Sequence, residues 1–188
     1  TAAEYVSLPA RLVKPLPDNA SFVEGACFGI PAMTGYHAVH VAGPVAGKTV
    51  YVPGATGRVG AYAVQFAKWR GARVIASTGG GAAQIEAVWA LGADVVLDRK
   101  AADLEERILK ETGGRGVDHI VEVDLPGNMG FDERILGENS NVVSFGAASV
   151  PSIPVTQVGR RARNMGVHFI FVYLDRKSTR LNSSHITI

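Results

Sequence analysis

Thr49-Val50-Tyr51-Val52-Pro53-Gly54-Ala55-Thr56-Gly57-Arg58-Val59-Gly60 is the stretch whose reading decides the fold. Its first four residues are β-branched or aromatic and read as a strand. Glycines at 54, 57 and 60 punctuate a turn, after which Ala61, Val64, Ala67 and Lys68 fall at helical spacing, with Gln65 on the other side. Three glycines at a strand-to-helix turn have separate mechanical uses. One makes the tight turn, one lets the backbone approach a pyrophosphate, and one lets the helix pack against its strand. The first N–H groups of that helix have no partner inside it, so they and the positive end of the helix dipole face an anion. The glycine run alone is a weak signal; a legible strand before it and helix after it supply the context the motif requires. The alternative is a turn whose glycines serve packing only.

Outward from this stretch a pattern repeats. A helix over about 58–70 leads through Gly71-Ala72 to a strand, 73–77, and Gly79-Gly80-Gly81 leads to a helix ending at Leu91-Gly92. Residues 94–97 read as a strand, followed by an amphipathic helix with Leu104, Ile108 and Leu109 as its buried stripe, closing at Gly113-Gly114. A strand over 119–123, a loop through Pro126-Gly127, a short helix near 131–136 and a strand over 141–145 follow. The apolar run 167–174 makes the sixth strand. Alternating strands and helices, with strands apolar on both faces, predict an α/β fold: a doubly wound, parallel, six-stranded Rossmann sheet. The crossover rule puts the glycine turn at the C-terminal edge of the first strand, beside the switch point where ligands bind.

The chain has 188 residues, 47% of them hydrophobic, enough for one full core and marginal for two. Nineteen basic and 17 acidic residues give a formal charge of +2, and no Lys/Arg stripe precedes the C-terminal end, which argues against a nucleic-acid partner. A single cysteine, Cys27, excludes a disulfide framework and a thiolate zinc site. His37, His40, His119 and His168 are scattered without metal-ligand spacing. No apolar run reaches the length of a membrane span and no signal peptide is read, so the expectation is a soluble, cytoplasmic protein.

Upstream, residues 1–6 read as a strand without a hairpin partner, and Pro9, Pro15 and Pro17 make an extended linker. Ser21 with Glu24 forms a capping-box pattern for a helix from about Phe22, interrupted near Gly29-Ile30-Pro31, resumed over 34–41 and stopped by Gly43-Pro44. Downstream, Asp175 to His185 has no periodicity, so 175–188 is expected to be a disordered or non-native tail. The expected organisation is a linker, 1–20, a dinucleotide-binding domain, 21–174, and that tail.

Phe28-Gly29-Ile30-Pro31-Ala32-Met33-Thr34-Gly35-Tyr36-His37-Ala38-Val39, followed by Gly47-Lys48 and the glycine stretch, resembles the zinc-free medium-chain dehydrogenase/reductase family, in particular its NADPH quinone oxidoreductase and ζ-crystallin branch. Leu91-Gly92-Ala93-Asp94 and Gly116-Val117-Asp118 match the family's later punctuation, and the resemblance spans 1 to about 174. It implies that a GroES-like catalytic domain belongs upstream of residue 1, so that 1–20 is a remnant of the connection to it and the chain an excised cofactor-binding fragment. A zinc alcohol dehydrogenase relative is the disfavoured enzymatic alternative.

The resemblance also implies roles. Gly54, Thr56, Gly57, Arg58, Val59 and Gly60 hold the pyrophosphate, with Arg58 adding charge or standing solvated. An NAD site places an acidic residue roughly 20 positions past the first glycine, on the ribose 2′-hydroxyl. Ser77-Thr78-Gly79-Gly80-Gly81 stands there without a carboxylate, which favours NADP(H) over NAD(H), although the basic residue the family often has shortly afterwards is replaced by Ala82, Ala83 and Gln84. Asp98 takes the place of a ring beside the ribose and 2′-phosphate, where its charge repels a phosphate or is offset by Arg99 and Lys100. Asn128 lies along the cofactor; Phe145, Gly146, Ala147 and Ala148 border the nicotinamide; Ile170, Phe171 and Val172 meet its carboxamide; Thr34 sits near its ring. The residues point to no catalytic acid or base, and no zinc is expected. In this branch hydride passes from the nicotinamide to a bound quinone or enone, and the cofactor carries the chemistry. The competing reading is a non-catalytic nucleotide-binding or assembly module. Family members often pair through the edge strand, here 167–174, so a homodimer is expected.

Overall fold

The computed structural model of the chain describes residues 4–10, 13–146, 164–170 and 183–187. Strand β1 (Thr49–Val52) is the centre of the architecture. It is followed by α3 (Arg58–Trp69), β2 (Arg73–Thr78), α4 (Ala82–Ala90), β3 (Val95–Asp98), α5 (Leu104–Glu111), β4 (Val117–Glu122), α6 (Leu125–Ile135), β5 (Leu136–Ser144) and β6 (Gly166–Ile170). Before β1 stand α1 (Phe22–Phe28) and α2 (Ile30–His40). The strands run in the order β3-β2-β1-β4-β5-β6, each parallel to its neighbours, and β7 (Ser183–Thr187) adds an antiparallel edge beyond β6. The doubly wound sheet is therefore present, with one strand more than predicted.

All four residues of β1 are buried, because both faces of the sheet are covered. Val50 and Val52 face one layer with Ala38 and Val39 of α2, Ala63, Val64 and Ala67 of α3 and Val88 of α4. Tyr51 points the other way, into a layer with Leu104 and Ile108 of α5 and Leu125, Met129 and Ile135 of α6.

Several expected boundaries are corrected. Glu4–Val6 form no strand; Tyr5 and Val6 are exposed. The capping box is present, with Ser21 Oγ accepting from Glu24 N at 3.2 Å and Glu24 Oε2 accepting from Ser21 N at 2.8 Å. The break after α1 is Gly29 alone, because Pro31 sits in the first turn of α2, where its missing N–H has no intrahelical role. Pro126 does the same in α6, so that helix begins at Leu125, where the sequence reads as a loop. In the segment expected to be a disordered or non-native tail, Ser183–Thr187 pair with β6; residues 175–182 and 188 lie outside the described residues. That pairing also occupies the edge to which the homodimer is assigned. Of the expected strand 167–174, only 167–170 are described.

Candidate dinucleotide site

The site is built from the turn after β1. Gly54 has φ +63°, a left-handed conformation that L side chains rarely adopt. The turn is tied to the neighbouring strand by Ala55 N donating to Ser77 O at 3.0 Å, and closed by Gly57 N donating to Gly54 O at 2.8 Å. Gly57 caps α3 without a side-chain hydrogen bond, so the first-turn N–H groups point away from the helix with no cap. Thr56, Gly57 and Arg58 are exposed and Val59 is half-buried. A Cβ on Gly60 would lie 2.6 Å from Gly54 O and 3.0 Å from Ala55 Cα; the helix sits against the turn because that atom is missing. Uncapped N–H groups at a turn bare of side chains are the chemistry that accepts an anion such as a pyrophosphate.

Ser77, Thr78, Asp98, Phe145 and Ile170 lie at the carboxyl ends of β2, β3, β5 and β6, which brings them to one edge of the sheet. At the end of β2, Ser77 is fully buried and its hydroxyl bonds Tyr51 Oη at 2.8 Å, so it serves the core rather than the crevice. Thr78 Oγ1 stands 3.3 Å from Thr56 Oγ1 and accepts from Gly80 N at 3.4 Å, linking the two glycine loops. Gly79 is exposed. At the end of β3 the exposed Asp98 accepts the Lys100 N–H through Oδ1 at 2.8 Å. Phe145, half-buried after β5, donates its N–H to Glu122 O at 3.1 Å, and Gly146 lies against Val123 O, where no Cβ fits. Ile170 ends β6 in the core. Ala147, Ala148, Phe171 and Val172 lie outside the described residues. Thr34 is buried in α2 with its hydroxyl donated to Ile30 O at 2.7 Å. Its neighbour Gly35 seats α2 on the first turn of α3, with Val59 O 3.1 Å from where a Cβ would stand.

A buried carboxyl pair beside these strand ends escaped the sequence reading. Asn128 donates to Glu122 Oε1 at 3.0 Å, as does Asp124 N at 2.6 Å. Beside them a cavity of about 310 Å³ is lined by Tyr51, Pro53, Arg99, Asn128, Phe131 and Asp132. Glu122 and Asp132 are both 0% exposed. Neither Asp132 oxygen meets a hydrogen-bond donor, and neither does Glu122 Oε2. Burial, and after it the negative charge of Glu122 nearby, push the Asp132 carboxyl up to about 9. The signal was available: Asp132 falls three residues after Met129 and seven after Leu125, on the buried stripe of α6. Burial also pushes Tyr51 up, despite its bond to Ser77.

The histidines behave as structural groups. His119 is buried in β4 with Nε2 2.9 Å from Ala38 O, and burial pushes it down to about 4. His168 bonds Asn141 Oδ1 at 3.1 Å, and His40 stacks on Tyr36 with centroids 4.0 Å apart. Among the described residues no group of His, Cys, Asp and Glu is arranged to hold a metal ion.

Comparison with known proteins agrees with this geometry. Residues 59–181 match the family described as "Zinc-binding dehydrogenase". The chain is 32% identical to a quinone oxidoreductase of Pongo abelii over 167 residues, 88% of this chain and 50% of that one. A human quinone oxidoreductase is 31% identical over the same length, again covering 50% of that chain. The quinone oxidoreductase of Thermus thermophilus, solved also as its complex with NADPH, superposes with a TM-score of 0.77 at 32% identity, covering 91% of this chain and 54% of that one. An NAD-dependent alcohol dehydrogenase superposes with a TM-score of 0.76 at 31% identity, covering 83% and 46%. The chain spans about half the length of the curated relatives it matches.

Proposed function

Since this chain belongs to the zinc-binding dehydrogenase family, on its quinone oxidoreductase-like side, we propose that it is the NADP(H)-binding domain of an enzyme that reduces quinones or α,β-unsaturated carbonyls. The observation that carries this is the cradle at Gly54 to Gly60: a left-handed turn, an uncapped helix start and a helix pressed onto the turn where no side chain fits. Thr56, Gly57, Arg58 and Val59 hold the pyrophosphate, with Gly54 and Gly60 shaping the turn. Thr78 and Gly79 border the adenosine ribose, Asn128 lies along the cofactor, and Phe145 to Ala148, Ile170 to Val172 and Thr34 form the nicotinamide end. NADPH supplies the hydride; the chain supplies binding and orientation. The absence of a carboxylate over 77–81 supports NADP(H) over NAD(H), while the two solved relatives are named for different cofactors. The protein works in the cytoplasm without zinc, membrane or nucleic acid. Homodimer formation through β6 requires β7 to leave that edge.

Calorimetric titration with NADPH and with NADH tests the proposal, and tighter NADPH binding is the expected result. The competing reading is a non-catalytic nucleotide-binding module. Quinone-dependent NADPH oxidation by the purified chain separates the two.

A further inference from the structure

We infer that Lys100, on the turn between β3 and α5, is the cation that holds the 2′-phosphate of NADP(H), so that cofactor choice is made from β3 rather than from the turn after β2. The inference rests on the dinucleotide reading above. A 2′-phosphate at the end of β2 needs a positive partner, and neither 77–81 nor the first turn of α4, Ala82-Ala83-Gln84, contains one.

The register supplies the missing charge from the next strand. Thr78 pairs with Asp98, and Arg99 N donates to Thr78 O at 2.9 Å, which fixes the β3 turn against the end of β2. Lys100 Cε then lies 3.6 Å from where a Cβ on Gly79 would stand, so the lysine stem runs along the bare glycine loop. Asp98, which by itself repels a phosphate, has Oδ1 engaged by the Lys100 N–H at 2.8 Å and shapes the turn that presents the lysine. Lys100 forms no ion pair among the described residues. Arg99 faces elsewhere, lining the cavity with Tyr51 and Asn128.

The test is calorimetric titration of the full chain and of its Lys100→Ala, Lys100→Glu and Arg99→Ala variants with NADPH and NADH, with circular dichroism confirming that each variant is folded. One charge-assisted contact predicts that Lys100→Ala weakens NADPH roughly 10- to 100-fold and leaves NADH within about twofold. Lys100→Glu extends that loss, while Arg99→Ala leaves the NADPH/NADH ratio unchanged. A ratio unaffected by Lys100→Ala, a ratio collapsed by Arg99→Ala, or a wild-type chain that binds both cofactors equally overturns the inference while the dinucleotide site stands. A wild-type chain that binds neither overturns the dinucleotide reading, and the role of Lys100 with it.

Discussion

Gly60 and Gly54 meet so closely that a methyl group on the first would stand 2.6 Å from the carbonyl oxygen of the second. Both obstructing neighbours, Gly54 O and Ala55 Cα, are backbone atoms and cannot swing aside. Gly60→Ala gains at most about 1 kcal/mol of helix propensity and loses roughly 1–3 kcal/mol by overpacking. The expected result is a lower thermal midpoint and a loss of NADPH affinity, since α3 must lift from the turn. Unchanged affinity in a calorimetric titration would show that the cradle tolerates the shift.

Asp132 and His119 act oppositely on stability. Asp132 holds its proton more tightly folded than unfolded, so its contribution is complete below about pH 3.8 and is lost as pH rises through about 9. His119 holds its proton less tightly, so its contribution is complete above pH 6.5 and is lost as pH falls through about 4. Each slope is about 1.4 kcal/mol per pH unit, and between about pH 4 and 6.5 they cancel. From this pair the thermal midpoint is expected to stay level up to pH 6.5 and to fall towards pH 9. Asp132→Asn should flatten the alkaline fall, and His119→Gln should make the fall begin near pH 4. A wild-type midpoint unchanged from pH 6.5 to 9 would contradict the Asp132 assignment.

Asp94 accepts Lys68 Nζ at 2.8 and 2.9 Å and Val74 N at 2.6 Å. Partial burial pulls its carboxyl up, but the Lys68 and Val74 bonds outweigh that and hold it below the usual range. Removing the half-buried lysine should cost under about 1 kcal/mol, whereas Asp94→Ala should cost roughly 1–3 kcal/mol by stripping the Val74 N–H of its acceptor. Urea denaturation of the two variants measures the difference; equal losses would assign the stabilisation to the ion pair instead.

With β7 on the β6 edge, the full chain should be a monomer at low concentration. A chain ending at residue 174 exposes that edge and should self-associate. Light scattering of both distinguishes them, and a dimeric full chain would require a different interface.

The alternation of strand and helix was legible because buried parallel strands are apolar throughout and each βα turn carries glycine. Pro31 and Pro126 misled because proline breaks a helix interior but suits a first turn, and only the position of the helix start separates the two. The start of β5 was hidden: Glu138-Asn139-Ser140 reads as a turn, Asn139 has φ 55°, and the register against β4 shifts between Val117 and His119. Of the candidate site, the glycine turn after β1 is local and was readable. The Glu122–Asp132 pair and the approach of Lys100 to Gly79 depend on strand register and helix docking, which local patterning does not specify. The bond of Ser77 to Tyr51 was hidden for the same reason, since Tyr51 comes from the adjacent strand.

The central strand takes its two neighbours from very different places in the chain. Val50 pairs with Val74 on one side and with His119 on the other, separations of 24 and 69 residues by subtraction of their numbers. During synthesis β1 can therefore dock with β2 early, but its other edge keeps its backbone groups in water until β4 has emerged. The wall of the crevice that carries Glu122 and Asn128 is a late arrival, closed by one long loop whose entropy is lost at a single step. The order of translation, not the strength of any local segment, therefore sets the earliest moment at which this crevice can exist, after β4 and α6 have emerged.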